Sequence, residues 1–327
     1  MPGILESERM VHPNGEGFVQ NRTASLDLAS NPAHTFVMPM LNRAHPGSVA
    51  LETTLLVHGV PKDTAHTLAG QLAQEVRAGG SHPALVGVVH GQPIVGMTDA
   101  ELTTLLDAAH VQKVNAANLG IAMHRGVHGA TTVSTTIELA SKAGIRFMAT
   151  GGLGGVHRGY AQKLDISSDL AAISRYPVAV VTSGVKSLLD VAATRELFET
   201  LGIPVVGYRT DSFPAFYVRN TDIPLDARFD DPDDLARYIV SELARTGRGI
   251  VVANPCPESH ALAPNAWQKL LDSALKATQH TTGRDITPAI LAHTHARSHG
   301  QTLDANIALA RSNAALAGEL CAHTTRG

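Results

Sequence analysis

The chain has 327 residues, of which 44% are hydrophobic and 17% charged, and its formal net charge is −3. This balance is that of an ordinary soluble globular protein and gives no reason to expect a nucleic-acid polymer as partner. Two cysteines are too few for a disulfide framework or a cysteine zinc site, which fits a reducing cytoplasm. No apolar run approaches the length of a membrane span and no secretory leader is evident, so neither a membrane nor export is expected.

The chain divides into two parts by pattern. Proline, glycine and asparagine punctuate short apolar stretches in residues 1–44, which predicts an irregular N-terminal extension. In residues 45–327, apolar runs typical of buried parallel strands alternate with helical patterns, and Pro264 to Ala322 is helical apart from a break at Thr287-Pro288 and a turn at His299-Gly300. We therefore expect a single α/β domain with a central, mostly parallel sheet flanked by helices and a helical C-terminal part.

The first predicted strand, Ser48 to Pro61, carries Glu52 among aliphatic residues. A buried carboxylate must be satisfied or functional, and burial would raise its pKa towards neutrality, as a general acid requires. The alternative is an exposed residue on the outer face of the strand. Asp63 then predicts a helix cap, and Thr98 with Glu101 predicts a capping box on a later helix.

A group of threonines between Thr131 and Thr136 follows Lys113 and lies at a predicted helix N-terminus. Hydroxyls and main-chain amides at such a terminus can hold a phosphate. Ordinary helix capping explains these residues equally well.

A glycine-rich loop follows the short apolar run Ile145 to Thr150, with glycines at 151, 152, 154 and 155. Without Cβ atoms the backbone there can approach a ligand closely. Because the spacing is not a dinucleotide fingerprint, a tight turn is an equal alternative.

Two aspartates, Asp165 and Asp169, lie four residues apart, so a helix would put both carboxylates on one face. Such oxygen ligands suit Mg²⁺ or Mn²⁺. Either residue could instead cap a helix.

Lys186 follows the strand-like run Pro177 to Gly184 and begins a predicted helix. The carboxyl end of a central strand is where open α/β sheets bind ligands. Desolvation there would lower the pKa of the lysine and make its amine nucleophilic. The alternative is a lysine that extends from a helix start to solvent. Further strands are expected in Gly202 to Tyr208 and Arg248 to Pro255, with a helix between them.

Long motifs from about Ser48 to Cys321 together resemble the pseudouridine-5′-phosphate glycosidase (indigoidine synthase A-like) family, which includes C-glycosynthases. They are ALETTLLVHGVP, GATTV, ATGGLGGVHRG, DISSDL, SGVKSLLD, GIPVVGY with FPAFY, VVANPCPE and ANIALARSNAALA. The resemblance implies reversible cleavage and formation of the carbon–carbon glycosidic bond between ribose 5-phosphate and a heteroaromatic base. It also implies a homotrimer.

By motif, the resemblance makes Lys186 the residue that forms an imine at C1′ of the opened ribose, and Glu52 the proton donor. It makes Asp165 the ligand of Mn²⁺ or another divalent cation. The candidate substrate contacts are Lys113, Thr131, Thr132, Val133, His157, Ser167, Ser168, Asp169 and Asn306.

The sequence departs from the family beside Lys113, where a serine followed by an Arg-Asp pair is expected and residues 115–118 read Asn-Ala-Ala-Asn. Because this change removes two charges beside the phosphate or the base, it favours a second interpretation. This is a C-glycosynthase that joins ribose 5-phosphate to an acceptor other than uracil, in C-nucleoside or natural-product synthesis. A phosphosugar aldolase using the same lysine and a non-catalytic nucleotide-binding relative are further alternatives.

Overall fold

The computed structural model of the chain describes residues 39–281 and 286–325. The predicted N-terminal extension lies outside the described residues up to residue 38. Within the described ranges, no helix has the length and apolar character needed to cross a membrane.

Eleven strands in the described part of the chain form one mixed sheet, with the order β1-β4-β3-β2-β7-β8-β11-β9-β10 and with β6 paired to β3 and β5. Their neighbours run parallel except that β4 and β6 are antiparallel to β3. The predicted, mostly parallel sheet is therefore confirmed. The strands are β1 (Leu41–Asn42), β2 (Ser48–Glu52), β3 (His82–Val89), β4 (Gln92–Val95), β5 (Gln112–Val114), β6 (Gly129–Thr131), β7 (Phe147–Ala149), β8 (Ala179–Thr182), β9 (Val205–Tyr208), β10 (Ala227–Phe229) and β11 (Ile250–Ala253).

Helices flank this sheet, and the C-terminal part is helical, as predicted. The longest, α12, lies against α2, α9 and strands β7 and β8, while α5 packs on α7 and β2. The helices are α1 (Thr54–His58), α2 (Lys62–Ala78), α3 (Asp99–Asp107), α4 (Leu119–His124), α5 (Val133–Lys142), α6 (Tyr160–Lys163), α7 (Ser168–Arg175), α8 (Val191–Thr200), α9 (Pro232–Thr246), α10 (Pro264–Ala277), α11 (Ile286–Arg297) and α12 (Gln301–Thr325).

The hydrophobic pattern explains these elements. Strands β8 and β11 are buried along their whole length, as expected of central parallel strands covered on both faces. On α2 the residues at helical spacing, Ala65, Leu68, Leu72 and Val76, are buried, so this face packs on the core. The capping box at Thr98 and Glu101 is present, with both reciprocal hydrogen bonds.

The first described residues already belong to the fold. Strand β1 pairs with β4, and the Arg43 guanidinium donates two hydrogen bonds of 2.8 Å to the Glu101 carboxylate. The folded body thus starts before the boundary expected at residue 45. That residues 45–327 act as one catalytic domain stays a prediction.

Helix α12 crosses α2 at a point where both helices carry a glycine. A Cβ at Gly318 would lie 2.6 Å from Val76 O, and one at Gly79 would lie 2.5 Å from Glu319 N. Only residues without a side chain permit this approach. The close crossing packs this part of α12 beside the start of β3, where the Ser81 hydroxyl donates to Gly318 O at 2.7 Å.

Three predicted elements differ from the structure in the first half of the chain. The strand that begins at Ser48 ends at Glu52, and the remaining apolar residues form α1, because Leu56 N and Val57 N already bond to Thr53 O. Asp63 lies in the first turn of α2 rather than at its cap. The aspartates of DISSDL do not share a helical face, because α7 begins only at Ser168.

Two further differences lie in the second half. Lys186 is in a loop, because α8 begins at Val191 with the Asp190 carboxylate accepting from Ala193 N at 3.0 Å. Helix α10 ends at Ala277, before the predicted break, and Thr287-Pro288 falls in the first turn of α11, where proline costs no hydrogen bond. The turn at His299-Gly300 is present, with both residues at positive φ.

Candidate active site

Glu52 ends strand β2 and is buried, with 7% of its surface exposed. One carboxylate oxygen accepts a hydrogen bond from the hydroxyl of Thr150, the residue after β7. Burial raises the pKa of Glu52, while the charge of Lys186, the Thr150 hydroxyl and the charge of Lys113 act in the opposite direction. The environment therefore favours the protonated carboxyl group, as a general acid requires.

The main chain around Lys186 is fixed on both sides. Lys186 N donates to Leu153 O at 3.1 Å. The next residue, Ser187, donates its hydroxyl to Ala215 O at 2.5 Å, and Trp267 Nε1 donates to Ser187 O at 3.3 Å. These contacts hold the lysine in place although it is not part of a helix.

One cavity at the carboxyl ends of the central strands brings Glu52 and Lys186 together. Of the other predicted site residues, Lys113 and Asn306 also line it. The complete lining is Glu52, Thr54, Leu55, His58, Gly59, Lys113, Thr150, Gly151, Gly152, Lys186, Phe216, Leu291 and Asn306. An amine, a buried carboxyl group and an amide thus face one enclosed space, which is the arrangement needed to bind a carbonyl compound and move a proton on it.

Phe216 forms the apolar wall of this cavity. Its backbone has a φ of 54°, which is rare for a bulky residue, and it is held there by a 2.8 Å hydrogen bond from Phe216 N to Ser183 O. The ring lies against Gly151 and Gly152 and meets the Tyr217 ring edge-on at 4.6 Å. The glycine-rich loop is therefore needed for close packing against an aromatic ring as well as for its turn.

Lys113 reaches the cavity from strand β5, and Asn118 shapes the turn that follows it. Asn118 is buried; its Oδ1 accepts from Asn115 N at 2.7 Å and its Nδ2 donates to Lys113 O at 3.2 Å. Asn118, one of the residues in the segment that departs from the family pattern, therefore holds the main chain of Lys113. Ala116 and Ala117, by contrast, are exposed.

Hydroxyl groups cluster at the N-terminus of α5, outside the cavity lining. The Ser134 hydroxyl lies 2.9 Å from that of Thr132 and 3.0 Å from that of Ser168, and Val133 is buried beside them. The Thr132 side chain makes no capping hydrogen bond to α5. Ordinary helix capping, the alternative explanation for this residue, is therefore not observed. Ser134 belongs to this cluster although no motif in the sequence indicated it.

Thr131 differs from these residues because its side chain is used within the fold. It is fully buried, and its hydroxyl donates to Val86 O at 2.7 Å and accepts from Thr136 at 2.9 Å. The residue joins β6 to β3 and does not line the cavity.

Asp169 is also committed to the main chain. Its two carboxylate oxygens accept from Ser134 N at 3.0 Å and Gly154 N at 2.9 Å. Its own N–H donates to the Ser167 hydroxyl at 3.2 Å, which caps α7. Asp169 therefore joins the glycine-rich loop to the start of α5.

Asp165 precedes α7 and is partly exposed, with His157 Nδ1 at 3.8 Å from its carboxylate. The pKa of His157 is lowered, first by burial and then by the charges of Lys113 and Lys186, with Asp165 acting in the opposite direction. In the described residues no three His, Cys, Asp or Glu side chains form a metal cage. One accessible carboxylate beside a neutral imidazole fits a hard cation that keeps most of its water ligands.

Two polar atoms beside the cavity lack hydrogen-bond partners among the described residues: His58 Nε2 and Asn306 Oδ1. Asn306 Nδ2 donates to Gly59 O at 3.3 Å, so its carbonyl side remains available. Burial, followed by the charge of Lys113, lowers the pKa of His58, which is therefore neutral at neutral pH. Sequence reasoning missed His58, although it lies in a motif that carried the family resemblance.

A second missed residue, Asn313, ties α12 to the site. Its Nδ2 donates to Thr150 O at 2.8 Å, and its Oδ1 accepts from Asn254 Nδ2 at 2.9 Å. Asn313 is fully buried among alanines and leucines of the helix. An asparagine within such an alanine- and leucine-rich helical stretch is the signal that could have revealed it.

Comparison with known proteins identifies the family of this chain. The family model described as indigoidine synthase A like protein matches residues 37–323. The pseudouridine-5′-phosphate glycosidase of Salinispora tropica is 43% identical over 83% of this chain and 85% of its own. That of Symbiobacterium thermophilum is 40% identical over 87% of this chain and 94% of its own.

Two crystal structures share the fold. An indigoidine synthase A-like protein from Thermotoga maritima superposes with a TM-score of 0.82 at 34% identity, covering 88% of this chain and 97% of that one. The prealnumycin C-glycosynthase AlnA, in complex with ribulose 5-phosphate, gives a TM-score of 0.78 at 34% identity and covers 85% and 92%. The chain therefore belongs to the indigoidine synthase A-like family, in which the curated relatives above are pseudouridine-5′-phosphate glycosidases.

Proposed function

We propose that this protein reversibly cleaves and forms the carbon–carbon glycosidic bond between ribose 5-phosphate and a heteroaromatic base. The observation that carries the proposal is that Lys186 and a buried Glu52, whose pKa is raised by burial, line one cavity. The names of the glycosidase relatives and of the AlnA C-glycosynthase support the same reaction.

The chemistry requires an electron sink, because a carbon leaving group cannot be released by protonating an oxygen. In synthesis, Lys186 adds to the C1′ aldehyde of opened ribose 5-phosphate and forms an iminium ion with loss of water, and C1′ of this ion accepts the electron pair of the base carbon. The Glu52 carboxylate takes the proton that the base carbon loses, and the 4′-hydroxyl then closes the ring at C1′ and displaces the lysine amine. In cleavage the same steps run backwards: the ring opens as Lys186 bonds to C1′, Glu52 protonates the base carbon as its bond to C1′ breaks, and water releases ribose 5-phosphate from the iminium ion.

We assign the phosphate of the sugar to the N-terminus of α5. The hydroxyls of Thr132, Ser134 and Ser168 meet there, and the positive end of the helix dipole favours an anion. Val133 and Ser167 lie in the same region. The Asp169 carboxylate holds the main chain there by accepting from Ser134 N and Gly154 N. Lys113 and Asn306 are assigned to substrate in the cavity.

We further propose that Asp165 binds a divalent cation, Mn²⁺ or a similar hard ion, with His157 beside it. The support is an accessible carboxylate next to an imidazole with a lowered pKa. A cation there would neutralise charge on a phosphorylated substrate.

A C-glycosynthase with an acceptor other than uracil is the second candidate function. It is favoured by the uncharged residues 115–118 beside Lys113, where the family resemblance leads one to expect a serine followed by an Arg-Asp pair. The similarity to AlnA is consistent with it. The loss of the Arg and Asp charges does not alter Lys186 or Glu52. We therefore expect a different acceptor with the same imine chemistry.

The test combines trapping with product analysis. Borohydride should attach ribose 5-phosphate covalently to Lys186, and Lys186→Arg serves as the matched control that keeps the charge. Product formed from ribose 5-phosphate and uracil supports the glycosidase. Product formed with another heteroaromatic acceptor, and none with uracil, supports the glycosynthase. Trapping of many aldehydes with no C-nucleoside product would instead indicate an aldolase, and absence of any adduct would overturn both proposals.

We also propose a cytoplasmic homotrimer, carried by the family resemblance. Among the described residues, Leu164 and Ile166 are exposed apolar side chains, at 75% and 41% exposure, on the segment that holds Asp165. Light scattering on the purified protein gives the number of subunits directly, and a monomer would contradict the assignment.

A further inference from the structure

His58 lies between two separate spaces. It lines the cavity that holds Glu52 and Lys186. It also lines an outer cleft on the other side, together with Lys62, His110 and His128. Among the described residues that line the active cavity, only His58 also lines the outer cleft. Its side chain therefore forms a polar part of the wall between the two spaces.

The imidazole of His58 is equipped to carry a proton. Its Nε2 is buried and has no hydrogen-bond partner among residues 39–281 and 286–325. The charge of Lys113 disfavours the protonated ring from the cavity side, and the ammonium group of Lys62 lies on the cleft side. A neutral ring with two nitrogens accepts a proton at one and releases one from the other, which is the basis of histidine proton shuttles.

Glu52 needs such a route. Its carboxyl group is buried, and the Thr150 hydroxyl occupies one of its oxygens. Lys113 lines the same cavity as Glu52 and His58, and its charge acts to lower the pKa of both groups. Each bond-forming turnover leaves on Glu52 the proton taken from the base carbon, and each cleavage removes one.

Building on the proposed function, we infer that His58 exchanges the proton of Glu52 with solvent in the outer cleft. In bond formation the base carbon loses its proton to the Glu52 carboxylate. His58 accepts this proton through the cavity at one ring nitrogen and releases another to water in the cleft from its second nitrogen. In cleavage the transfer runs inward. No electrons change hands and the ring returns to its neutral form.

The experiment follows the proton and the bond separately. The protein is incubated at equilibrium with ribose 5-phosphate and with uracil labelled with tritium at C5 and, separately, with carbon-14. If uracil does not react, the heteroaromatic acceptor that does is labelled at its reacting carbon. Carbon-14 exchange into the C-nucleoside phosphate counts bond events, and tritium in water counts protons that reach solvent.

The wild-type protein should release about one tritium for each bond event. In His58→Gln this ratio should fall by about tenfold or more, because the proton stays on Glu52 and returns to the base. In His58→Gly, imidazole added to the solution should restore the ratio by entering the cleft. His110→Gln, which changes a histidine that lines only the cleft, should leave the ratio unchanged.

A purely structural role for His58 would slow bond formation and proton release together and leave their ratio at the wild-type value, which would overturn the inference. Borohydride trapping on Lys186 checks that each variant is folded, and His58→Asn replaces any variant that fails this check. If the wild-type protein shows no carbon-14 exchange with any acceptor, the proposed function itself is wrong. If trapping and carbon-14 exchange both occur, but His58→Gln releases as much tritium per bond event as the wild-type protein, the role proposed for His58 is wrong and the proposed function stands.

Discussion

The backbone of Gly152 lies directly against the ring of Phe216: a Cβ atom at residue 152 would be 2.4 Å from Phe216 Cδ2. Both residues line the cavity that contains Glu52 and Lys186. The shape of the candidate site therefore depends on a glycine and an aromatic ring that come from distant parts of the chain.

Gly152→Ala should displace the Phe216 ring and lower the free energy of unfolding by about 1–3 kcal/mol, as overpacking does. Activity should fall further than stability, because the ring forms the cavity wall. Urea unfolding and borohydride trapping measure the two effects. Combining Gly152→Ala with Phe216→Leu should recover part of both losses, whereas strictly additive losses would show that the two residues do not interact.

Lys186→Ala should abolish the borohydride-trappable adduct with ribose 5-phosphate. It should also reduce turnover by a factor on the order of 10⁴ or more, because no neighbouring residue of the site can take over the role of the nucleophile. Mass spectrometry of the trapped protein locates the adduct. Lys113→Ala is the comparison: it should weaken substrate binding and leave the adduct detectable. Normal turnover by the Lys186 variant would refute the mechanism.

Glu52 should make the protein less stable as pH rises. Its pKa in the folded state lies above the ordinary value of 4.5 because of burial, so the folded protein retains a proton that the unfolded chain releases. The stability that this proton contributes is complete below 4.5 and is lost as pH rises through the raised value. Urea unfolding across this range should therefore show wild-type stability decreasing relative to that of Glu52→Gln, whose side chain does not titrate.

The same Glu52→Gln variant should retain trapping on Lys186 and lose carbon–carbon bond cleavage, because the amide keeps the shape but has no acidic proton to give. A variant that cleaves the bond at the wild-type rate would show that another group is the acid.

Asp165 and Asp169 should respond differently to the same change. Asp169→Asn turns an acceptor of two main-chain N–H groups into a side chain with a competing donor, which should cost about 1–3 kcal/mol of stability. Asp165→Asn alters a partly exposed group and should change stability by less than about 0.5 kcal/mol. Its effect should instead appear as weaker activation by Mn²⁺ after treatment with a chelator. Equal stability losses would contradict the structural distinction.

Asn118→Asp should lose the 3.2 Å hydrogen bond to Lys113 O but keep an acceptor for Asn115 N. We expect a stability cost of about 0.5–1.5 kcal/mol and weaker ribose 5-phosphate binding. Asn118→Ala, which loses both contacts, should be worse on both measures. If the aspartate variant binds as tightly as wild type, the amide does not position Lys113.

The sequence by itself determined the α/β architecture and the family, and it predicted Glu52, Lys113, Lys186 and Asn306, which line one cavity in the structure. This follows because apolar periodicity and long motifs are local, and strands of a parallel sheet bring their carboxyl ends to one edge. Local pattern could also predict the buried face of α2 and the capping box at Thr98.

Only the tertiary structure decided what each side chain contacts. Asp169 and Thr131 look like ligand-binding residues in the sequence, yet their oxygens bind the main chain, since hydrogen-bond partners come from segments far away in sequence. His58, Phe216 and Asn313 lie in motifs that indicate the family, but nothing in these motifs shows that the three residues meet. They do so because α1, the Ala215–Val218 turn and α12 converge on the same strand ends, and convergence of distant segments is a property of packing that no single stretch of sequence contains.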